Sequence, residues 1–366
     1  MKLECVKQKL EEVVIRADRI TAKNSTLPVL QCILLIVKES ILTIRATNLD
    51  LGIEITLPVK SSVDGVVAIP SSTLAHYLSS LQNEASLTLE LIDNTVVIIC
   101  GKSKASIKTL PYEDFPTIPL IAEGESSLFK TSEFIMGLKS VWYSASVSSI
   151  KPELSSVFVH KQDKELLFVA TDSFRLAEKK TPFKGGDELK DLLIPFKNIP
   201  EIIRTLEGGE EEFRLSFNKN QLSFYGKSFS LTSRIIDGNF PDYTQIIPKN
   251  HTTEVIVLKQ DLLSFLKLNT IFSDKFNQIH FSVKPSNKEF ELSSRNSEVG
   301  ENVTTLEGSF EGEDLEINFN YKYILDCFQS IQSESVSLQF NGSNRPLIIR
   351  GVGDHSFLYL AMPMNR

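Results

Sequence analysis

Apolar residues recur along the chain with two different periods. Six segments have them at spacings of three and four residues, which places them on one face of a helix. The predicted helices cover residues 6–20, 71–81, 132–146, 196–206, 259–271 and 321–331. Pro200 lies inside the fourth segment, so we expect an irregular first turn there, and Gly208 is a natural stop.

Shorter runs rich in β-branched and aromatic residues lie between these helices, and turn residues bound them. The predicted strands cover residues 41–44, 52–57, 87–91, 166–170, 212–217, 222–225, 255–258, 279–283 and 336–340. Two helices and about eight strands in about 120 residues predict an α+β domain.

The chain is one such unit repeated three times, with a step of 124 or 125 residues. Gly101-Lys102-Ser103 recurs as Gly226-Lys227-Ser228, and Phe115-Pro116 recurs as Phe240-Pro241. The predicted helices at 71–81, 196–206 and 321–331 follow the same step of 125. Because self-similarity at a fixed period marks a repeated architecture, we predict three similar domains. They cover residues 1–122, 123–248 and 249–366.

Composition and charge narrow the class of protein. Hydrophobic residues make up 42% and charged residues 23%, which is typical of a globular protein, and no apolar run approaches the length of a membrane span. An acid at Glu4 interrupts any signal-peptide pattern, so we expect a cytoplasmic protein. The four cysteines lie far apart, which predicts buried, reduced thiols. The net charge of −7 excludes a generally basic DNA-binding surface.

No catalytic motif is complete in the sequence. The two Gly-Lys-Ser sequences lack the earlier glycine of a phosphate-binding loop, because Val96 and Gln221 stand there. We therefore interpret both as turns between strands. Asp172 could be a catalytic acid, but Asn48 and Asn296 replace it in the other repeats, which favours a turn residue. The sequence thus predicts no catalytic residue, no metal site and no cofactor.

Five motifs in this order resemble the bacterial DNA polymerase III beta subunit family, the sliding clamps. They are Thr26-Leu27-Pro28-Val29-Leu30, Thr109-Leu110-Pro111 with Asp114-Phe115-Pro116, Ala170-Thr171-Asp172-Ser173-Phe174-Arg175-Leu176, Asp237-Gly238-Asn239-Phe240-Pro241-Asp242-Tyr243, and Met362-Pro363-Met364. The resemblance implies the DNA clamp fold, in which two chains form a head-to-tail ring around duplex DNA. It also implies a processivity factor that slides without sequence specificity.

The same resemblance implies where DNA and the second subunit bind. The family places its helices on the inner wall, and three of the six predicted helices here carry one excess positive charge. Candidate DNA-facing residues are Lys7, Lys9, Arg16, Lys139, Lys197, Arg204 and Lys267. The dimer interface would pair Ala105 and Ile107 of one chain with Ile271 and Phe272 of the other.

The family also binds partner peptides in an apolar pocket, and this implies further partners. They are the DNA polymerase III alpha subunit, the clamp loader and other proteins with a clamp-binding motif. Carried over residue by residue, the pocket comprises Thr171, Leu176, Pro241, Ile246, Tyr323, Leu360 and Met362, with Arg175, Pro363 and Met364 at its edge. Without the resemblance, the C-terminal Met-Pro-Met would be interpreted as a frayed tail after a final strand.

The sequence departs from the family pattern at four positions. Ser173-Phe174 replaces a frequent Gly-His pair, Lys151 stands where arginine is usual, and Asn24 replaces a basic residue. These changes affect the polar rim of the pocket and some DNA contacts.

Two other classes of function compete with a clamp. A hydrolase or transferase would need a convergent polar site, which the sequence does not show. A protein-only multi-domain scaffold without DNA encirclement remains the alternative. Retention on circular but not linear DNA after loading separates a clamp from both.

Overall fold

The protein is described by a computed structural model, which covers residues 1–23, 25–81, 85–118, 121, 125–185 and 189–364. Each predicted helix is found close to its expected position. The helices are α1 (Lys7–Ile20), α2 (Ser71–Ser80), α3 (Thr131–Val141), α4 (Ile199–Glu207), α5 (Lys259–Asn269) and α6 (Tyr321–Cys327). Within the described residues, no helix has both the length and the apolar character needed to cross a bilayer.

The helix ends explain the small differences from the predicted bounds. A 3-10 turn at Phe196–Asn198 precedes α4, whose first residues include Pro200, and Gly208 is its C-cap. The irregular start and the glycine stop are therefore confirmed. Short 3-10 turns also follow α3, α5 and α6, which is common where the last turn of a helix tightens.

Twenty-six strands accompany these helices in the described part of the chain, and all nine predicted strands are confirmed. The first repeat has β1 (Lys2–Val6), β2 (Cys32–Lys38), β3 (Ile41–Thr47), β4 (Leu51–Pro58), β5 (Lys60–Val63), β6 (Gly65–Pro70), β7 (Ser86–Ile92), β8 (Thr95–Cys100) and β9 (Ser103–Lys108). The second has β10 (Glu125–Lys130), β11 (Ser156–Gln162), β12 (Glu165–Thr171), β13 (Arg175–Pro182), β14 (Leu192–Pro195), β15 (Glu212–Phe217), β16 (Gln221–Tyr225) and β17 (Phe229–Arg234). The third has β18 (Thr253–Leu258), β19 (Gln278–Lys284), β20 (Glu289–Asn296), β21 (Gly300–Leu306), β22 (Gly308–Gly312), β23 (Leu315–Asn320), β24 (Ser335–Phe340), β25 (Leu347–Gly351) and β26 (Phe357–Ala361).

The described chain forms two compact units, each with two antiparallel sheets. The first unit, mainly Met1–Ser132 and Lys197–Ile235, contains a five-stranded sheet (β5-β1-β7-β8-β9) and an eight-stranded sheet (β10-β15-β16-β17-β4-β3-β2-β6). The second unit, mainly Glu133–Lys184 and Ile236–Arg366, contains a nine-stranded sheet (β14-β11-β12-β13-β26-β25-β24-β18-β22) and a four-stranded sheet (β21-β20-β19-β23).

The two units do not coincide with the three sequence repeats, because sheets continue from one repeat into the next. Strand β17 of the second repeat pairs with β4 of the first, with Leu231 opposite Ile53. Strand β13 of the second repeat pairs with β26 of the third, with Leu176 opposite Leu360. The predicted domain boundaries at 122/123 and 248/249 stay predictions, and the first lies outside the described residues.

Interpretation of the small motifs as turns is confirmed. Gly101-Lys102-Ser103 leads from β8 into β9, and Gly226-Lys227-Ser228 lies between β16 and β17. Gly101 has a φ of 55°, which glycine adopts at little cost. The four cysteines are free and buried, as expected, and burial raises the pKa of Cys32 to about 11.

Candidate functional site

The turn between β12 and β13 contains the residues from Thr171 to Leu176, the central motif of the predicted pocket. The Thr171 hydroxyl donates to the carbonyl of Arg175 (2.7 Å), and one carboxylate oxygen of Asp172 accepts from the backbone N–H groups of Phe174 and Arg175 (2.9 and 3.0 Å). Ser173 has a φ of 78°, a left-handed conformation that favours glycine. The interpretation of Asp172 as a turn residue is therefore confirmed, and the serine departure is accommodated at some backbone strain.

Arg175 is the centre of a hydrogen-bond network inside the protein and does not lie at the open edge of the pocket. Its guanidinium donates to the second carboxylate oxygen of Asp172 (2.9 Å), to Asp326 of α6, and to the carbonyl of Tyr143 (2.7 Å). It also lies 4.7 Å from the ring centre of Tyr323. Since the Arg175 side chain is only 12% exposed, its expected position at the edge needs correction.

The charge of this centre is fixed. Burial alone lowers the pKa of Arg175, but Tyr359, Asp326 and Asp172 outweigh that effect and the pKa is raised. The guanidinium therefore stays protonated. Its three hydrogen-bond partners come from the turn itself, from the segment after α3 and from α6, so it ties together elements that are far apart in sequence.

An apolar cluster lies next to this centre. Its buried members are Val169, Leu176, Tyr243, Ile348, Leu358 and Leu360. Leu176 and Leu360 are 0% and 1% exposed. Two of the predicted pocket residues thus form its floor and have almost no surface of their own, because they face each other across β13 and β26.

Tyr243 holds the segment that carries Pro241 and Ile246. Its hydroxyl donates to the buried carboxylate of Glu178 (2.7 Å). Burial and the Glu178 charge raise the pKa of Tyr243, so the phenol stays protonated and remains a donor. The 3-10 turn Tyr243–Ile246 is therefore bonded to β13, and Ile246 at the end of this turn is 48% exposed.

The C-terminal methionines are held by main-chain hydrogen bonds. The N–H of Met362 donates to the carbonyl of Phe174 (2.8 Å), and the N–H of Met364 donates to the carbonyl of Asn318 (2.8 Å). The frayed-tail interpretation is therefore wrong up to Met364. Asn365 and Arg366, and also Asn24, lie outside the described residues.

The surface that remains open is apolar and partly aromatic. Phe174 is 60% exposed and its ring stacks on Tyr323, with 6.5 Å between ring centres. Ile246 and Met362 are also exposed, as is Pro241, while Thr171 is buried and Pro363 is partly buried. Phe174 stands where the family pattern frequently has a polar histidine, so this part of the pocket rim is apolar.

Several contributors to the pocket were not recognised from the sequence. Phe158 and Phe240 stack with 4.8 Å between ring centres and pack against the buried cluster, together with Ile247. The Phe240-Pro241 repeat was a signal for this position, whereas nothing local marks Phe158, which is 82 residues earlier.

Two of the candidate DNA-facing residues are engaged inside the protein. Lys7 is 8% exposed and pairs with Glu11 one helical turn later (2.6 Å). Arg16 donates to the carbonyl of Thr205 (3.2 Å) and lies 5.3 Å from the ring centre of Phe229, so it ties α1 to α4. The expectation that Lys7 and Arg16 face DNA is corrected, because their charged groups are turned to protein partners.

The other five candidates are exposed. Lys197 pairs with Asp50 (2.6 Å) and Arg204 pairs with Glu201 on the same helix, so each meets a carboxylate. Lys9, Lys139 and Lys267 are exposed on α1, α3 and α5. Exposed ion pairs contribute little and exchange readily, so all five remain accessible to an anion.

The predicted dimer residues lie on the edge strand β9 and beside the edge strand β21. Strand β9, which carries Ala105 and Ile107, ends the five-stranded sheet, and β21 ends the four-stranded sheet. Ile271 is 61% exposed, and Phe272 beside it is partly exposed next to the start of β21. Ile107 is 7% exposed, so the expectation that its side chain forms the interface is corrected: it is buried within its own subunit.

Among the described residues, no three His, Cys, Asp or Glu side chains are grouped so that they could hold a metal ion. The geometry instead gives an exposed apolar surface beside a buried apolar cluster, and the edge strands β9 and β21, on a repeated α+β chain, which is the architecture of a DNA clamp.

Models of three DNA polymerase III beta subunit domains match the chain in order. The N-terminal domain matches residues 1–119, the central domain residues 129–242 and the C-terminal domain residues 244–365. The beta sliding clamps of Synechococcus elongatus and Bacillus subtilis are each 27% identical, and the alignments cover 100% of this chain and 99% and 100% of theirs. The chain therefore belongs to the DNA polymerase III beta subunit family.

Solved structures agree with this assignment. The Bacillus subtilis DNA polymerase sliding clamp superposes with a TM-score of 0.94 at 26% identity, covering 100% of this chain and 99% of that one. The Thermotoga maritima DNA polymerase III beta subunit superposes with a TM-score of 0.93, at the same identity and coverage. The expected clamp fold is confirmed.

We predict that Arg175→Met destabilises the second unit by about 3 kcal/mol, because it leaves the carboxylates of Asp172 and Asp326 without their cation. Urea unfolding followed by tryptophan fluorescence of Trp142 measures this. Arg345→Met, at an exposed arginine in the same unit, should shift the stability by no more than about 0.5 kcal/mol. Equal effects in the two variants would show that Arg175 is not a structural centre.

Proposed function

We propose that this protein is the non-catalytic processivity factor of a replicative DNA polymerase. Two chains form a ring around duplex DNA, slide without sequence preference in the cytoplasm, and tether the polymerase through the apolar pocket. Membership of the sliding-clamp family supports the whole proposal. An enclosed duplex is retained by topology, so the protein needs only weak, sequence-independent attraction to phosphates.

The free sheet edges are the single observation that carries the ring. Within the chain, successive repeats are joined by sheets of eight and nine strands. In the described part of the chain, β9 is one edge strand of the five-stranded sheet and β21 is one edge strand of the four-stranded sheet, and β5 and β23 are the other edges. If β9 of one subunit pairs with β21 of the other, the joined sheet has nine strands, which matches the junctions inside the chain.

Charge and apolar surface favour this pairing. Lys104 and Lys108 are exposed on β9, whereas Glu301 is exposed on β21 and Glu298 just before it. Ile271 adds an exposed apolar side chain beside β21. A head-to-tail contact of this kind uses two different surfaces and closes after two chains when the rotation is a half-turn. We therefore propose a ring-shaped homodimer.

Ile271→Asp together with Phe272→Asp should give a folded monomer, because two carboxylates would be buried at the proposed interface. Analytical ultracentrifugation measures the mass, with the wild type at about twice 41.1 kDa. Val63→Asp is the matched control, since Val63 is 52% exposed on β5 at the opposite edge of the five-stranded sheet. An unchanged dimer in the double variant would contradict the interface.

DNA contact is assigned to the five exposed cations of the helices, and not to Lys7 or Arg16. The family relationship supports placing these helices toward the duplex. Phosphate contacts of this type release counterions, so affinity falls with salt by a slope of about 0.9 per contact. Lys9 and Lys267 are the simplest pair to test, since no carboxylate partner is described for either.

Lys9→Ala with Lys267→Ala should weaken DNA association and lower its salt slope by up to about 0.9 for each phosphate that the variant no longer neutralises. Titration of nicked circular DNA at several salt concentrations measures the slope. Lys60→Ala with Lys249→Ala removes the same charge from exposed positions outside the helices and should leave the slope unchanged. Equal slopes for both pairs would contradict the assignment, and equal retention on linear and circular DNA would favour the protein-only scaffold.

The pocket is proposed to bind extended peptides of the polymerase alpha subunit, the clamp loader and other clamp-binding proteins. Its open rim of Phe174, Ile246 and Met362 accepts apolar anchors, and its floor of Leu176 and Leu360 is buried. Methionine adapts its shape to different ligands, which suits a site shared by several partners. A few of these residues should carry most of the binding free energy.

Ile246→Asp and Met362→Asp should each weaken binding of a polymerase-derived apolar peptide by at least tenfold, because a carboxylate would face the peptide anchors. Isothermal titration calorimetry measures the affinity and sedimentation confirms the dimer. Val352→Asp, at a residue 45% exposed in the same unit, should bind normally. Unchanged affinity in both rim variants would show that the peptide binds elsewhere.

A further inference from the structure

The first unit contains a second turn with the same hydrogen bonds as the turn of the partner pocket. The Thr47 hydroxyl donates to the carbonyl of Leu51 (2.8 Å), as Thr171 does to Arg175. The Asn48 side-chain oxygen accepts from the N–H groups of Asp50 and Leu51 (3.0 and 2.8 Å). The backbone of residues 47–52 therefore repeats that of residues 171–176.

The neighbouring strand repeats as well. The N–H of Arg234 donates to the carbonyl of Asp50 (2.9 Å), in the place where the N–H of Met362 donates to the carbonyl of Phe174. Thr232 lies opposite Gly52, as Leu360 lies opposite Leu176. The main chain thus builds the same cradle twice, once in each unit.

The side chains of this second cradle differ in chemistry. Gly52 replaces the apolar floor residue, and Ile118 fills the space: a Cβ atom at position 52 would lie 2.8 Å from the Cγ2 atom of Ile118. Thr232 and Arg234 stand where the partner pocket has Leu360 and Met362. The chain itself therefore fills the position of the apolar floor, with Ile118.

What remains open is a cavity of about 180 Å³ with both polar and apolar lining residues. Its lining residues are Thr47, Leu49, Asp50, Leu51, Gly52, Pro116, Thr117, Ile118, Gln221, Thr232 and Arg234. Asp50 is paired with Lys197 (2.6 Å), so its charge is balanced. The Arg234 side chain is exposed, and no carboxylate partner is described for it.

We propose that this cavity is a second peptide site, which binds an acidic side chain of an extended partner segment through Arg234. The cradle supplies the same main-chain framework as the partner pocket, and a guanidinium forms charge-assisted hydrogen bonds with a carboxylate. The analogy rests on the proposed peptide pocket, but the site itself uses different residues and is tested separately.

The test uses the full-length protein and three fluorescein-labelled hexapeptides, Gly-Ser-X-X-Ser-Gly, in which X is Glu, Gln or Lys. At low ionic strength, fluorescence anisotropy should show binding of the Glu peptide only. Arg234→Met should weaken that binding at least tenfold. Arg214→Met, at an exposed arginine on β15 of the same sheet, should change it less than twofold.

Competition separates the two sites. The polymerase-derived apolar peptide should not displace the Glu peptide, and Ile246→Asp should not affect it. Absence of selective binding, equal weakening in Arg234→Met and Arg214→Met, or displacement by the apolar peptide would each overturn the second site. Binding of the apolar peptide itself is measured in the same titrations, so failure of the partner pocket would be recognised independently.

Discussion

Main-chain pairing between strands of successive repeats is the interaction on which the rest of the structure depends. The pairing of β17 with β4 and of β13 with β26 turns separate repeats into continuous sheets. A sheet edge that is not used in this way exposes unpaired N–H and C=O groups and invites another strand. The same constraint therefore applies to the edge strands β9 and β21, which we propose that a second subunit covers.

The repeated junction also determines where the two proposed binding sites lie. At each junction a tight turn precedes the strand that pairs with the next repeat, and a Phe-Pro segment lies beside the turn. Together they form a shallow cradle. In the second unit, Leu176 and Leu360 make its floor apolar. In the first unit, Gly52 admits Ile118 and leaves Thr232 and Arg234 to line the open part. The same backbone geometry thus presents an apolar floor in one unit and polar side chains in the other, and the side chains alone account for this difference.

The regular elements could be predicted from the sequence, because helix and strand periods are local properties. The turn role of Asp172 followed from comparison among the repeats. Contacts between distant residues could not be predicted in this way. Arg175 meets Asp326, which is 151 residues away, and Ile107 is buried although its strand lies at the edge of a sheet. Lys7 could have been suspected, since Glu11 lies one helical turn later.

The state of the helix cations bears on how such a protein can hold DNA and still move. Lys7 and Arg16 are used to fix the helices, and Lys197 and Arg204 already meet carboxylates. A phosphate must compete with these intramolecular partners, which lowers the gain from each contact. Weak and exchangeable contacts give similar free energies at every position along a duplex, because the phosphate spacing does not depend on sequence. Firm retention then has to come from closure of the ring. It therefore depends on a stable contact between subunits at the sheet edges and not on strong contacts between the helices and DNA.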